Sequence, residues 1–331
     1  MNRVLVTGAT SFLGYHVAKR LNEQGLRPRV LELPGSSLER LGNLHVERCA
    51  GHLQDPAALG AACDGVDTLL HLAFKVSVQG GAAVLAEMRE VNLAGTDRLL
   101  DAAAAKGVSR VVVAGSALAV GVNREPLPLN ENADWSVHAL DLPYATIRRE
   151  AEQRALARAQ PGFAVIAVLP AFTLGPDDPV GAPANKLLET LAKGKLRFTL
   201  PVGFGCLDVR DFASGVVAAA TRGVSGQRYL LSGHNVTTNQ FLEEAAAIAG
   251  VRAPRFQPPS FLLTVVVAAL EGLSKVRGKP SPVSRGVLQI LGRYAWYDTT
   301  LARTTLGWQP RPLRETLQDT IAWLRSRADK Q

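Results

Sequence analysis

The chain has 331 residues, 47% hydrophobic and 20% charged, which is the balance of a folded globular protein and argues against a disordered or fibrous one. Its net charge of +8 is spread over scattered Lys and Arg with no basic run longer than Arg148-Arg149, a pattern that suits an anionic cofactor and an anionic membrane surface, not nucleic acid. Cys49, Cys63 and Cys206 are far apart and odd in number, and no His/Cys/Asp cluster has metal-ligand spacing, so neither a disulfide framework nor a metal is expected.

Short β-branched runs alternate with helical stretches through the first two-thirds of the chain. They are Val4-Leu5-Val6, Leu13 to Asn22, Val30-Leu31, Leu69-Leu70, Leu85 to Ala105, Val111-Val112-Val113 and Ala164 to Leu169. Apolar runs buried on both faces and separated by amphipathic helices indicate a parallel sheet with right-handed crossovers, a doubly wound α/β domain. Residues 2 to 7 already read as a core strand with no export signal ahead of them, so a cytoplasmic location is expected, with peripheral contact at the inner face of a membrane. Asp55-Pro56 reads as an N-cap followed by a first-turn proline, and Asp211 as the cap of a helix running through Thr221.

After Pro170, the residues Gly175-Pro176, Pro179, Gly181 and Pro183 break the pattern before a helix from Lys186 to Lys193. The expected division is residues 1–169 as the cofactor domain, with 209–232 returning to it, and 170–208 plus 233–331 as a smaller, mostly helical substrate lobe. Phe261 to Leu270 is apolar on all faces and is followed by Lys275, Arg277 and Lys279. About ten residues cannot span a bilayer, which needs about 20, so a buried helix is expected. The sharper alternative is a hydrophobic lid or a monotopic membrane contact.

The strongest motif is Thr7-Gly8-Ala9-Thr10-Ser11-Phe12-Leu13-Gly14, where the first strand turns into the first helix. Small residues there let the backbone approach a pyrophosphate, and the helix start offers free N–H donors at the positive end of its dipole. Glu32 ends the second strand, where a carboxylate accepts from ribose hydroxyls and repels an added phosphate, favouring NAD over NADP.

With these motifs the chain resembles the extended short-chain dehydrogenase/reductase family, over essentially its whole length. It is most similar to the branch of 3-beta-hydroxysteroid dehydrogenases, dihydroflavonol reductases and hopanoid-associated epimerase-like proteins. Further matches are His71-Leu72-Ala73, Val91-Asn92-Leu93-Ala94-Gly95-Thr96, Asp208-Val209-Arg210-Asp211, Tyr297-Asp298, Ala302-Arg303 and Leu306-Gly307-Trp308-Gln309-Pro310. The resemblance implies a Rossmann-type fold and a cofactor site comprising Thr7, Gly8, Thr10, Ser11, Phe12, Leu13, Gly14, Glu32, His52, Leu53, Leu72, Ala73, Phe74, Asn92, Tyr144, Arg148, Pro170, Phe172 and Thr173. NAD is the expected cofactor, with NADP as the alternative.

The same resemblance assigns Ser116 to orient a substrate oxygen and Tyr144 to act as acid/base, with Arg148 one helical turn further on. A phenol with a pKa of about 10 exchanges a proton near neutrality only when a cation stabilises its phenolate. Most of the family carries lysine at position 148; arginine supplies charge but stays protonated and cannot relay a proton. Glu152 continues the family's Tyr-x-x-x-Lys-x-x-x-Glu spacing. Other departures are Ser11 at a glycine position, costing about 1 kcal/mol if a positive φ is needed there, His52 for an aspartate, Leu169 for an arginine and Gly115 for a serine. His138 and His234 read as solvated, and Asp208 and Asp211 as turn and cap residues. The expected function is oxidation or reduction of a hydrophobic secondary alcohol or ketone, with a small hydrophobic substrate and a homodimer as partners. The alternatives are a nucleotide-sugar epimerase or dehydratase with tightly held NAD, and a weakly catalytic NAD-binding sensor.

Overall fold

The computed structural model describes residues 1–36, 38–76, 82–136, 140, 142–178, 180–259, 261–265, 267–269 and 288–328. His138, Pro179, Leu270, Lys275, Arg277 and Lys279 lie outside the described residues.

Seven strands form a parallel sheet in the order β3 (Glu47–Ala50), β2 (Arg29–Glu32), β1 (Val4–Thr7), β4 (Thr68–His71), β5 (Arg110–Ala114), β6 (Ala164–Pro170) and β9 (Arg228–Leu231). Alternation along each strand sorts its side chains between two cores. Val4, Val6, Val30, Leu70, Val112 and Ile166 face one core, closed by α1 (Phe12–Glu23) and α7 (Val209–Arg222). Leu5, Leu31, Leu69, Val111, Val113, Val165 and Leu169 face the other, closed by α2 (Pro56–Cys63), α4 (Gly95–Ala105) and α5 (Pro143–Leu156). The apolar runs read from the sequence are therefore strands covered on both faces. β3 escapes that reading because its residues, Glu-Arg-Cys-Ala, are mostly exposed at the sheet edge, where charged side chains discourage further pairing.

A second sheet holds β8 (Val202–Asp208) between antiparallel β10 (His234–Thr237) and parallel β11 (Arg293–Ala295), with β7 (Phe172–Leu174) also pairing with β8. Helices α6 (Pro183–Ala192), α8 (Thr238–Ala249) and α10 (Leu313–Ala328) pack against it through Leu188, Leu191, Phe241, Leu242, Leu317 and Ile321. A short helix, α9 (Thr300–Leu306), packs on α7.

Several local expectations shift. Asp55 caps α2 as expected, accepting from Ala57 and Ala58 N–H, but α7 is capped by Asp208, which accepts from Arg210 N–H at 2.8 Å, and not by Asp211. Asp211 instead accepts from Arg311 N–H at 2.7 Å, tying α7 to the segment before α10. α6 begins at Pro183, three residues before Lys186, because a proline at the first position needs no hydrogen-bond acceptor. The stretch Leu85 to Ala105 is not one regular helix: α3 (Ala82–Arg89) passes through a π-helical turn, Glu90–Ala94, into α4. The buried helix expected after Phe261 is also corrected: Phe261 is 72% and Val265 61% exposed, because a run apolar on every side can press only one side onto the body of the protein.

Candidate active site

The nucleotide turn sits at the C-terminal end of β1, where the strand order reverses between β1 and β4, the usual ligand crevice of a doubly wound sheet. Gly8 has φ +74°, and a Cβ on it would lie 2.8 Å from the backbone of Ala73. A Cβ on Gly14 would collide with the Gly8 carbonyl, so both glycines are required for the turn to pack against α1 and the end of β4. Ser11 adopts φ −81°, so the strain expected of a serine here does not arise. Its hydroxyl donates to Gly8 O at 2.7 Å and accepts from Gly14 N–H at 3.1 Å, capping α1. Phe12 is buried and Leu13 packs against the same core as α1.

Glu32 is buried at the end of β2, and its Oε1 has no hydrogen-bond partner among the described residues. Burial raises its pKa, with Arg48 opposing. A buried acceptor lacking a donor at this point matches the hydroxyls of a ribose, so the residues present fit the adenosine end of NAD. His52 is exposed beyond β3, and Leu53 lies beneath it against Gly95.

Thr7 links β1 to β4. Its Oγ1 accepts from Leu72 and Ala73 N–H at 3.2 Å each and therefore donates to His71 Nδ1 at 2.7 Å. Thr96 Oγ1 donates to Asn92 O at 2.9 Å, so it accepts from His71 Nε2, also at 2.9 Å. These directions fix His71 as the neutral Nε2–H tautomer. Burial, then the Arg148 guanidinium, lowers its pKa to about 3. Asn92 is committed to the loop after β4, accepting from Lys75 N–H at 2.8 Å and donating to Lys75 O at 2.9 Å. Its amide thereby clamps the loop that carries Ala73 and Phe74.

Ser116 follows β5 and precedes a 3-10 turn, Ala117–Ala119, while Tyr144 stands in the first turn of α5 behind Pro143. Arg148 and Glu152 follow Tyr144 at four-residue steps on the buried side of that helix. Arg148 Nη2 donates to Ala114 O at 2.6 Å and to Gly115 O at 2.5 Å, fastening α5 to the strand end immediately before Ser116. The guanidinium lies 3.6 Å from the centre of the Phe74 ring. Its Nε and Nη1 are buried without partners among the described residues. Burial pushes the Arg148 pKa down, opposed by Tyr144 and Glu152. Phe74 is thus the platform for this cation.

Glu152 is buried and its pKa is raised by that burial, opposed chiefly by Arg228. Arg228 on β9 brings Nε to 2.7 Å from Glu152 Oε1 and donates from Nη2 to Oε2 at 3.0 Å. Arg228 therefore supplies charge beside β6, where Leu169 stands in place of the family's arginine. Sequence reasoning missed it; the available signal was a charged residue two positions before the core residue Leu230, hence on the same face of its strand. His71 and Thr96 were missed as a connected pair for the same reason, since their contact depends on sheet order. Pro170 ends β6, and Phe172 and Thr173 on β7 pair with β8, where Phe172 packs on Phe204 with ring centres 5.0 Å apart. Thr173 Oγ1 donates to Ala171 O at 2.9 Å. His234 is half-buried, with its Nε2 2.9 Å from Arg311 O.

Known proteins share this architecture. The chain is 30% identical over 328 residues to sterol demethylase protein B of Methylococcus capsulatus, covering 98% of each. It is 27% identical over 325 residues to a 3 beta-hydroxysteroid dehydrogenase/Delta 5-->4-isomerase of Mycobacterium tuberculosis, covering 94% of this chain and 86% of that one. The crystal structure of gox2253 superposes with a TM-score of 0.85 at 30% identity over 99% of both chains. Residues 4–232 match the model of the NAD dependent epimerase/dehydratase family, so the chain belongs to that family and uses NAD.

Proposed function

We propose that this protein is an oxidoreductase that interconverts a hydrophobic secondary alcohol and its ketone, with Tyr144 as acid/base. The observation that carries the reading is the Arg148 clip onto Ala114 and Gly115, which draws the helix bearing Tyr144 to the strand end bearing Ser116. NAD, when bound, accepts or supplies the hydride. Thr7 to Gly14 would hold its pyrophosphate, Glu32 its adenosine ribose, and Arg148 the ribose nearer the chemistry. Ser116 donates to the substrate oxygen and orients it. Tyr144 takes the hydroxyl proton during oxidation and returns it during reduction, because a change in bond order at that oxygen requires a proton transfer. Arg148 places a positive charge one helical turn from Tyr144, but a guanidinium keeps its own protons. The guanidinium therefore does not carry the proton onward along α5.

A greasy substrate is supported by the names of the sterol and steroid relatives. It is also supported by the exposed apolar side chains of Phe256, Phe261 and Val265, which suit contact with an apolar molecule. The test is NADH formation with pregnenolone and a panel of terpenoid and aryl alcohols. Tyr144→Phe should lower turnover by about 10²- to 10⁴-fold while NAD affinity stays constant. No turnover across the panel, or unchanged turnover in the variant, would reject the reading.

A further inference from the structure

Arg148 carries a buried charge to which no carboxylate among the described residues is hydrogen-bonded. Glu152, one helical turn further on, is bound by Arg228 instead. Of the guanidinium nitrogens, Nη2 is committed to Ala114 O and Gly115 O, while Nε and Nη1 are buried without partners among the described residues. Two carbonyls meeting one nitrogen fix that nitrogen but not the plane of the group. A cation taken out of water at such a place is costly unless something negative faces it.

The Phe74 ring faces it. The ring centre lies 3.6 Å from Arg148 Cζ, close enough for the planar guanidinium to stack on the negative face of the ring. An ammonium is a point charge on a flexible stem, so lysine at 148 would offer no plane for a ring to orient. Phe74 is itself held from both directions along the chain. Ala73 before it donates its N–H to Thr7 Oγ1 and abuts the nucleotide turn, where a Cβ on Gly8 would lie 2.8 Å from its backbone. Lys75 after it is clamped at both backbone groups by Asn92. The ring also packs on His71, with ring centres 4.7 Å apart, and His71 is fixed in turn by Thr7 and Thr96. A ring anchored in this way can set the plane of a side chain that is hydrogen-bonded at one nitrogen only.

We propose that Phe74 is the positioning residue for Arg148: its face sets the plane of the guanidinium and so aims Nε and Nη1 at the cofactor ribose nearer the chemistry, without touching the cofactor itself. Phenylalanine at 74 and arginine at 148 thus form one device. This rests on the place given to Arg148 in the reading above, and not on the alcohol chemistry. The experiment measures binding to the full chain by titration calorimetry, with NAD and with ADP, which carries the adenosine ribose and the pyrophosphate but lacks the second ribose. Phe74→Leu keeps the apolar bulk and removes the ring face, so it should weaken NAD binding about tenfold and leave ADP binding within about twofold. Replacing Phe74 with a trifluorinated phenylalanine, which keeps the shape of the ring and drains its face of negative potential, should weaken NAD binding several-fold, whereas Phe74→Tyr should preserve it. Arg148→Met should also weaken NAD binding, and adding Phe74→Leu to it should cost little more. The fluorinated ring keeps the test available if the leucine variant fails to fold. Unchanged NAD affinity with either the leucine or the fluorinated side chain overturns the proposal. Equal losses for NAD and ADP overturn it too, since Phe74 would then only prop the loop. So does a loss that persists undiminished beside Arg148→Met, which would make Phe74 a direct cofactor contact. Unchanged NAD affinity in Arg148→Met would reject the place given to Arg148, and the proposal with it. The expected binding pattern with no turnover of any alcohol would reject the oxidoreductase reading alone.

Discussion

His71 is buried with both ring nitrogens engaged, accepting from Thr7 and donating to Thr96, so charging it would add a proton where Thr7 already donates. The Arg148 guanidinium adds a second opposing effect. A histidine whose folded pKa lies near 3, against an ordinary 6.5, binds its proton in the unfolded chain first. Its contribution to stability is complete above about pH 6.5 and is lost progressively as pH falls towards 3. The buried carboxyls Glu32, Glu131 and Glu152 have raised pKa values from desolvation, and so act in the opposite direction as pH rises through their titration. Comparing the wild type with His71→Gln cancels those carboxyls. The difference in unfolding free energy should shrink by about 1.4 kcal/mol per pH unit between about pH 6 and pH 4, measured by urea denaturation. Parallel curves for the two proteins would show that His71 charges freely in the fold. At this scale the sequence indicates which residues matter more reliably than what each does. Ser116, Tyr144 and Arg148 are proposed from the resemblance to the family, and Glu32 from its place at the end of the second strand. That Ser11 escapes strain and Asn92 clamps a loop depends on a φ angle and a hydrogen bond that no spacing reveals.

Elements explain why departures from the family occur together. Gly115 ends β5 beside Leu169 of the neighbouring β6, and a Cβ on Gly115 would run into Leu169 Cδ2. Leucine at 169 and glycine at 115 are therefore one packing solution, and Arg228 on the neighbouring β9 pairs with Glu152. Gly115→Ser alone should destabilise the protein by about 1–3 kcal/mol through overpacking. Adding Leu169→Ala should relieve the overlap, so the two variants should show a stabilising coupling of about 1 kcal/mol or more in a double-mutant cycle. Additive effects would mean that the two positions do not share space. The five inner strands are readable because both faces of each are apolar. β3 and the π-helical turn are not, since an edge strand carries no apolar run and a widened turn keeps the same residue types as the helix around it.

At the scale of the molecule, one feature lies outside both cores. Phe256, Phe261 and Val265 are 60%, 72% and 61% exposed, and Arg252 and Arg255 are exposed as well. Large exposed apolar side chains close to cations are the composition of an interfacial membrane contact: the apolar groups enter the headgroup boundary while the cations meet anionic lipid. No helix among the described residues is long and apolar enough to cross a bilayer, so such a contact would rest on the surface of the membrane. The chain's net charge of +8 would add a long-range attraction to an anionic surface. The protein should therefore sediment with phosphatidylglycerol vesicles and much less with phosphatidylcholine vesicles, and the bound fraction should fall as salt screens the cations. Phe261→Ser/Val265→Ser should release it from vesicles even at low salt while leaving NAD affinity intact. Arg252→Glu/Arg255→Glu should instead weaken binding most where the salt dependence of the wild type is steepest. If the serine variant bound vesicles as the wild type does, the contact would be a general attraction of the basic surface, and the exposed turn would have to be covered by protein rather than lipid.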